Sequence, residues 1–313
     1  MPDEKTGRTL VEITAVVTVT DDGGSSGRLR RDFDVLPPGD IRNCMAALCE
    51  DEAMLTQLFK YRFSAGHGLK GHSFGNLFLT ALSHITGDFA HAVSLSSEIL
   101  NISGKIYPST AANVVLHAEL EDGTRVAGES KISKSRSRVK RIRLSPRQCD
   151  PLPETLAAIE HADLITLGPG SLFTSLIPNL LVNGIPEAIV KSHAVKAYFC
   201  NLMWQPGETV NFTASEHVNA VLQHSRKDLL DYVVINTQPV TSGLLQRYAN
   251  ERSLPVENDI ANLENLGLKV LGDNLLLDGE RVRHNPQVVA AIALKLARHG
   301  RKRILLSENS AKI

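Results

Sequence analysis

The chain has 313 residues, of which 42% are hydrophobic and 22% are charged. This composition is typical of a folded globular protein and excludes a wholly disordered chain. Lysine plus arginine equals aspartate plus glutamate at 34 each, so the protein has no net charge with which to attract nucleic acid or an anionic membrane. Any anion site must be local, and we expect no nucleic-acid partner.

No apolar run approaches the roughly 18 residues of a membrane span, and the polar N-terminus lacks the apolar core of a secretory signal. The four cysteines match no metal-binding spacing, and reduced thiols are typical of the cytosol. We therefore expect a cytoplasmic protein with no membrane span and no resident metal.

Short apolar segments predict the strands of a sheet. They are rich in β-branched residues and lie at 13–20, 163–168, 194–201, 231–236 and 268–271. Helical patterns lie between them. One has an apolar face made of Leu77, Phe78, Ala81, Leu82 and Ile85, and another covers 288–298 near the C-terminus. Strands that alternate with helices predict a single α/β domain over 1–313, with a parallel sheet covered on both faces.

One region, at about 109–144, departs from this pattern. Alternating residues on either side of Asp122-Gly123 predict a β-hairpin, so we expect a small antiparallel insertion. It contains a basic run from Lys131 to Arg143. A solvated loop and edge strand is the favoured interpretation of this run, and an anion-binding patch is the alternative.

The first glycine-rich segment directly follows the strand predicted at 13–20. Its candidate ligand contacts are Asp21, Asp22, Gly23, Gly24, Ser25 and Ser26. Acids at a strand end suit a hydrated divalent cation or a ribose hydroxyl. Serines and glycine amides suit an anion, with Arg28 as counter-charge. A simple turn rich in turn-forming residues accounts for the segment as well. Farther along, Asp40 is a candidate cap for the next helix.

Three further polar segments follow. His72, with a pKa near physiological pH, precedes the candidate caps Ser73 and Asn76. No Ser/His/Asp triad can be assembled from sequence order, so nucleophilic catalysis is unsupported.

A segment at 168–175 follows a predicted strand, is rich in glycine and begins a helix, which is the context of a phosphate site. Its sequence matches neither the Walker motif nor the GxGxxG motif. After the strand at 194–201, the residues at 205–209 either line the same site or cap a helix.

Taken together, these segments resemble one family. The blocks DDGGSSGRLR, PPGDIRNC, YRF, GHSFGNL, GPGSLFTSLIPNLL, CNLMWQPGET and VRHNP are similar, in this order, to those of the YvcK-like gluconeogenesis factors of the YvcK/CofD family. The resemblance covers about 13–296 and implies a Rossmann-like, three-layer fold. The acidic loop and PPGDIRN favour this branch over the CofD transferases.

The resemblance also implies a function and a set of ligand contacts. Members of this branch are associated with growth on gluconeogenic carbon and with cell-envelope shape, and they resemble binders of UDP-sugars such as UDP-N-acetylglucosamine. The implied contacts are Asp21, Asp22, Gly23, Gly24, Ser25 and Ser26 from the first loop, Asn76, Gly168, Gly170, Ser171 and Thr174 around the nucleotide, and Tyr248 and Arg283 near the sugar or pyrophosphate.

Other functions stay open. A CofD-like 2-phospho-L-lactate transferase would act on a deazaflavin acceptor and would use Mg²⁺ at Asp21 or Asp22. An aromatic content of 5% disfavours the aromatic-lined cleft that such an acceptor needs. A scaffold that has lost ligand binding is a third hypothesis. A homo-oligomer is compatible with the sequence.

The N-terminus departs from the family pattern. The resemblance implies a strand, a Gly-Gly-Gly-Thr-Gly turn and a helix before the strand at 13–20, whereas about a dozen polar residues precede it here. We therefore expect the first strand–loop–helix unit to be missing, through a misassigned start or a loss of the unit.

Overall fold

A computed structural model describes residues 11–310, except for 50–53, 136, 250 and 252 and the side chains of 307–310. The strands are β1 (Thr14–Val17), β2 (Lys105–Pro108), β3 (Val115–Leu120), β4 (Arg125–Ala127), β5 (Val139–Ser145), β6 (Leu164–Leu167), β7 (Val195–Phe199), β8 (Tyr232–Asn236) and β9 (Lys269–Asp273).

Thirteen α-helices are described between and beyond these strands. They are α1 (Gly24–Phe33), α2 (Gly39–Leu48), α3 (Met54–Lys60), α4 (Phe74–Thr86), α5 (Phe89–Ile99), α6 (Glu129–Ile132), α7 (Pro153–Glu160), α8 (Ile177–Leu180), α9 (Ile185–Lys191), α10 (Ala214–Gln223), α11 (Ser242–Ala249), α12 (Ile260–Asn265) and α13 (Pro286–Ser310). A π-helical turn, Leu172–Leu176, precedes α8.

Four parallel strands form the larger sheet, in the order β6-β7-β8-β9. Every residue of β7 is buried, as expected for a strand inside a parallel sheet with both faces covered. Tyr198 and Phe199 are among the largest fully buried side chains. The predicted α/β class and all five predicted strands are confirmed, and the structure is consistent with a Rossmann-like fold.

A second parallel pair, β1 and β2, forms its own sheet. Thr14 is opposite Lys105 and Val17 is opposite Pro108 in its register. Among the described residues, β1 has β2 as its one strand neighbour and β6 has β7. The expectation about the N-terminal residues 1–10 lies outside the described part of the chain.

The predicted antiparallel insertion is present as the sheet β4-β3-β5. The β3–β4 hairpin turns at Asp122, whose carboxylate accepts a hydrogen bond from the Thr124 N–H at 2.9 Å. One face of β5 is buried through Val139, Ile142 and Leu144, while its arginines on the other face are exposed. The insertion thus presents its apolar face to the core and a basic face to solvent.

Two details of the predicted helices are wrong. In α4 the buried residues are Gly75, Asn76, Leu79 and Thr80, while Ile85, a member of the predicted apolar face, is 79% exposed. The N-terminal turn of α4 faces a polar cluster, and of the predicted apolar face Phe78 packs against the core while Ile85 lies at the surface. Asp40 does not cap α2, because Pro38 occupies the cap position and Asp40 lies inside the first turn.

In the described part of the chain, no single helix is long and apolar enough to cross a membrane. One pair of helical segments, Leu172–Leu180 and Ile185–Lys191, reaches that length and apolar composition when the two are counted together, but the pair is bent by 75°. In the described part of the chain, no disulfide bond joins Cys44, Cys149 or Cys200 to another cysteine.

Candidate functional site

The N-termini of three helices meet near the carboxyl end of β1. Ser26 in the first turn of α1 accepts a hydrogen bond from Asn76 Nδ2, in the first turn of α4, at 3.4 Å. A Cβ added to Gly39, the first residue of α2, would lie 2.4 Å from both Ser26 Oγ and Asp21 Oδ2. Helix N-termini have unpaired N–H groups and a partial positive charge, so their convergence favours anionic or hydrogen-bond-accepting groups.

Two buried polar atoms near these helix starts have no hydrogen-bond partner among the described residues. They are Asn76 Oδ1, on a side chain that is 2% exposed, and Arg42 Nε. Arg42 lies against α4, since a Cβ on Gly75 would come within 2.9 Å of its Cγ. Buried polar groups are almost always paired in folded proteins, so these two atoms indicate a place for ligand groups.

The two adjacent aspartates point in different directions, as expected along an extended segment. Asp21 Oδ1 accepts a hydrogen bond from the Gly23 N–H at 2.8 Å, and its other oxygen lies toward Gly39. Asp22 Oδ1 instead accepts from the Ser130 N–H at 2.8 Å. Asp22 therefore ties the loop to the insertion, and Asp21 is the one that faces the convergent helices.

A buried serine–histidine pair lies on the first loop. Ser25 Oγ is 2.9 Å from His72 Nδ1, and both side chains are buried. Burial lowers the pKa of His72, and the charges of Arg28 and Arg62 lower it further against the opposite effect of Asp32. The ring is therefore neutral at physiological pH and can accept the Ser25 proton. No pattern in the sequence indicates this pair.

The second loop is built around Gly168 and Ser171. Gly168 has a positive φ of +76°, and a Cβ there would lie 2.9 Å from the Phe199 carbonyl oxygen, so the loop packs closely against the end of β7. Ser171 accepts from the Thr174 N–H at 3.3 Å and so caps the following helical turn. Asn201 Nδ2 donates to the Gly170 carbonyl at 2.9 Å.

A buried carboxylate, Glu208, occupies the helix start of this second loop. It accepts hydrogen bonds from Ser171 Oγ at 2.7 Å and from the Phe173 N–H at 3.3 Å. Burial raises the pKa of Glu208, whereas these hydrogen bonds and one from Ser133 lower it. The protein's own carboxylate thus takes the position where the sequence predicts a ligand phosphate.

The two loops are joined through Thr20. Its hydroxyl donates weakly to Glu129 Oε2 at 3.4 Å and to the Thr174 carbonyl at 3.5 Å. We call the joined set the carboxyl-end cluster. It comprises Thr20, Asp21, Ser25, Ser26, Gly39, Asp40, Asn76, Glu129, Ser171, Thr174 and Glu208.

This cluster holds an excess of carboxylates. Burial raises the pKa of Glu129 to about 8, and the charges of Asp40, Asp21, Glu208 and Asp22 add to the effect. Burial likewise raises the pKa of Asp40 to about 6, with a further increase from Asp21 and a decrease from Arg42. At neutral pH Glu129 is therefore mostly a neutral acid that can donate a hydrogen bond.

The remaining predicted contacts lie beyond β7. The Tyr248 hydroxyl accepts a hydrogen bond from the Val282 N–H at 3.2 Å, next to Arg283, which is exposed. His284 Nε2 lies 3.1 Å from the Cys200 carbonyl at the end of β7. Tyr248 and Arg283 are thus close to each other and on the carboxyl-end side of the sheet. Among the described residues, no hydrogen bond joins them to the first loop.

A tightly held metal is not what this arrangement favours. In the described part of the chain, no group of three or more His, Cys, Asp or Glu side chains is placed to hold a metal ion. Asp21 and Asp22 diverge, so at most one of them faces a given ligand. The Mg²⁺ contact that a CofD-like transferase would use thus has one available aspartate in this conformation.

The fold and the loops define an α/β protein with a polar, acid-rich cluster at the carboxyl ends of its parallel strands. The model of the family 2-phospho-L-lactate transferase CofD matches residues 4–276. The chain belongs to this family, as the order of its sequence blocks predicted.

The chain is similar in sequence to gluconeogenesis factors. A gluconeogenesis factor of Bacillus subtilis is 48% identical over 287 residues, which cover 91% of this chain and 90% of that protein. One of Halalkalibacterium halodurans is 48% identical over 286 residues, covering 91% and 89%. A crystal structure of a Bacillus halodurans protein has a TM-score of 0.89 at 47% identity and covers 91% of this chain and 92% of that one.

Sequence reasoning missed Glu129 as a site residue and left Glu208 undecided between lining the site and capping a helix. Glu129 lies in the insertion, 109 positions from its partner Thr20. No local sequence pattern predicts such a contact. The sequence shows only an acidic residue directly after Gly128 at the start of a helix. Acidic residues are common at helix starts, so this position does not indicate a ligand site.

Proposed function

We propose that this protein is a cytoplasmic, non-catalytic binder of a nucleotide-sugar of the UDP-N-acetylglucosamine type. In this proposal it acts as a regulator of cell-envelope synthesis and cell shape during gluconeogenic growth. The observation that carries the proposal is the convergence of three helix N-termini on Ser26, Gly39 and Asn76. The names of its relatives support the gluconeogenic context.

The chemistry of the carboxyl-end cluster suits the two halves of such a ligand. Phosphate groups are stabilised at helix N-termini, and the unpaired Arg42 Nε provides a donor nearby. The free oxygen of Asp21 suits sugar or ribose hydroxyls, which donate to carboxylates. A neutral Glu129 reduces the repulsion that a diphosphate meets among so many acids.

The proposal is tested by isothermal titration calorimetry with UDP-N-acetylglucosamine, UDP-glucose, GDP and free N-acetylglucosamine. We expect a UDP-sugar to bind more tightly than the free sugar, with no change on addition of EDTA. Failure of all the nucleotides to bind would refute the proposal. A large loss of affinity on chelation would instead favour metal-dependent chemistry.

A matched pair of asparagine variants tests whether the start of α4 belongs to the nucleotide-sugar site. Asn76→Ala removes an amide whose oxygen is unpaired and whose nitrogen contacts Ser26. Asn179→Ala removes an amide that also has an unpaired oxygen and one nitrogen contact, to Ser175 O at 2.9 Å. We expect the first variant to lose binding at least tenfold and the second to keep it. Equal affinities would exclude the α4 start from the site.

A CofD-like transferase is the second candidate, and the Ser25–His72 pair is the observation in its favour. A neutral imidazole 2.9 Å from a hydroxyl is the geometry of a general base. Here His72, together with Ser25, would take up the proton of the acceptor hydroxyl while phosphoryl groups lie at the adjacent start of α4. The assay supplies 2-phospho-L-lactate as a nucleoside-diphosphate ester and follows its transfer to the deazaflavin hydroxyl, with release of the nucleoside monophosphate, in the presence of Mg²⁺; His72→Gln is the control. Turnover that the His72→Gln variant abolishes would establish this candidate.

A further inference from the structure

A concave surface lies on the antiparallel insertion, away from the carboxyl-end cluster. The exposed face of β4-β3-β5, with the segment that follows β5, encloses a cavity of about 490 Å³. Four arginines line it, and we call them the arginine face: Arg125, Arg141, Arg143 and Arg147. None of them belongs to the carboxyl-end cluster. Arg141 and Arg143 lie in the basic run from Lys131 to Arg143, for which the sequence favours a solvated loop and edge strand and leaves an anion-binding patch as the alternative.

Strand register brings three of these arginines together. Arg141 on β5 and Arg125 on β4 are each directly opposite Glu119 on β3. Arg143 is opposite His117, two residues along on the same face. Side chains at opposite positions of an antiparallel pair have Cβ atoms roughly 5 Å apart, so Arg125 and Arg141 flank Glu119 from either side and Arg143 lies next to them on the same face.

The arginine face is not neutralised by the protein itself. Among the described residues, none of its four guanidinium groups forms an ion pair with a carboxylate. The one acid in the cavity lining, Glu119, binds Lys140 at 3.3 Å. With one acid against four arginines in the lining, the cavity carries a local excess of positive charge in a protein with no net charge, and such an excess attracts anions.

The shape and composition of the cavity restrict the ligand. Guanidinium groups bind phosphate oxygens in pairs, and the cavity volume lies in the range of small-molecule sites, about 300–1,000 Å³. No Phe, Tyr or Trp lines it, so it lacks the stacking surface of a single-stranded nucleic-acid site. We propose that the arginine face binds a small phosphorylated metabolite with at least two phosphate groups.

The test uses inorganic pyrophosphate and tripolyphosphate as probes, in calorimetric titrations of the full chain without divalent cations. We expect tripolyphosphate to bind more tightly than pyrophosphate, and we expect both to weaken from 50 to 200 mM KCl because salt screens the charges. Arg141→Gln/Arg143→Gln should weaken tripolyphosphate binding at least tenfold. Both side chains are exposed, so the fold should not depend on them.

Two controls distinguish the arginine face from general charge attraction and from the carboxyl-end cluster. Lys191→Gln/Lys227→Gln removes the same charge from exposed positions elsewhere and should leave binding unchanged. Asn76→Ala, in the carboxyl-end cluster, removes probe binding at that cluster, and in this background Arg141→Gln/Arg143→Gln should still weaken tripolyphosphate binding at least tenfold. Equal losses in the arginine and lysine variants, no binding by wild type, or no effect of Arg141→Gln/Arg143→Gln in the Asn76→Ala background would each overturn the proposal. Tighter binding of a 20-nucleotide RNA or of anionic vesicles than of tripolyphosphate would overturn the small-metabolite assignment.

Discussion

Replacing Glu129 by glutamine should remove much of the pH dependence of this protein's stability. The native pKa of Glu129 is raised from 4.5 to about 8, chiefly by burial and then by the charges of Asp40, Asp21, Glu208 and Asp22. The native state therefore keeps a proton that the unfolded chain releases. The proton retained on Glu129 stabilises the native state fully below about pH 4.5, and this stabilisation is lost as pH rises through about 8.

The size of the effect follows from the two pKa values. At 1.36 kcal/mol per pH unit, the change from 4.5 to about 8 corresponds to at most about 5 kcal/mol. Between pH 5.5 and 7 the wild-type protein should lose about 1.4 kcal/mol per pH unit through this group alone. Glutamine resembles the protonated acid in shape and keeps an oxygen for the Thr20 hydroxyl, so the variant should fold normally.

The assay is urea denaturation from pH 5 to 8.5, followed by circular dichroism. Glu129→Gln should match wild type near pH 5 and exceed its stability by a few kcal/mol at pH 8.5. Asp40, whose pKa is raised to about 6, leaves some pH dependence in the variant below that pH. The control, Glu264→Gln on the exposed surface of α12, should follow wild type. Parallel curves for Glu129→Gln and wild type would show that this carboxyl group is ionised in the folded protein.

Two further variants test the packing of the loops. Gly39→Ala puts a Cβ 2.4 Å from Asp21 Oδ2 and Ser26 Oγ and should lower both the thermal midpoint and nucleotide-sugar affinity, whereas Gly243→Ala has open space and should lower neither. Ser171→Ala removes the hydroxyl that donates to Glu208 at 2.7 Å, so it should cost about 1–3 kcal/mol in urea denaturation. It should also raise the pKa of Glu208 further, as measured by carboxyl ¹³C NMR, and an unchanged pKa would contradict this bond.

The central strands β7 and β8 were predictable because burial on both faces leaves a local signature. The core residues of β7 and β8, such as Phe199 and Val233, are almost fully buried, and their segments are nearly continuous apolar runs. The glycine-rich loops were predictable for a related reason. They directly follow the predicted strands at 13–20 and 163–168, and the ends of parallel strands carry the ligand sites of open α/β sheets.

The orientation of α4 was not predictable in the same way. Its apolar stripe and its buried face differ, since Leu79 is fully buried while Ile85 is 79% exposed. Periodicity reports the amphipathic character of an isolated helix. The buried face here is set by what the first turn must contact: Ser73 caps that turn, and Asn76 reaches Ser26 on α1. A requirement at one end of the helix therefore fixes the rotation of all of it.

The acid-rich character of the carboxyl-end cluster is a property of the folded chain rather than of any segment. Three helix N-termini favour negative charge there, and the protein places Asp21 and Asp40 beside them and Glu208 at the start of the Leu172–Leu176 turn. Additional carboxylates then repel one another, and Glu129 responds by holding its proton. A ligand phosphate entering this region competes with these side chains for the same N–H groups. Nucleotide-sugar affinity should therefore depend on the proton at Glu129 and fall as pH rises through about 8. Glu129→Gln, which has no proton to lose, should bind equally well on both sides of that pH.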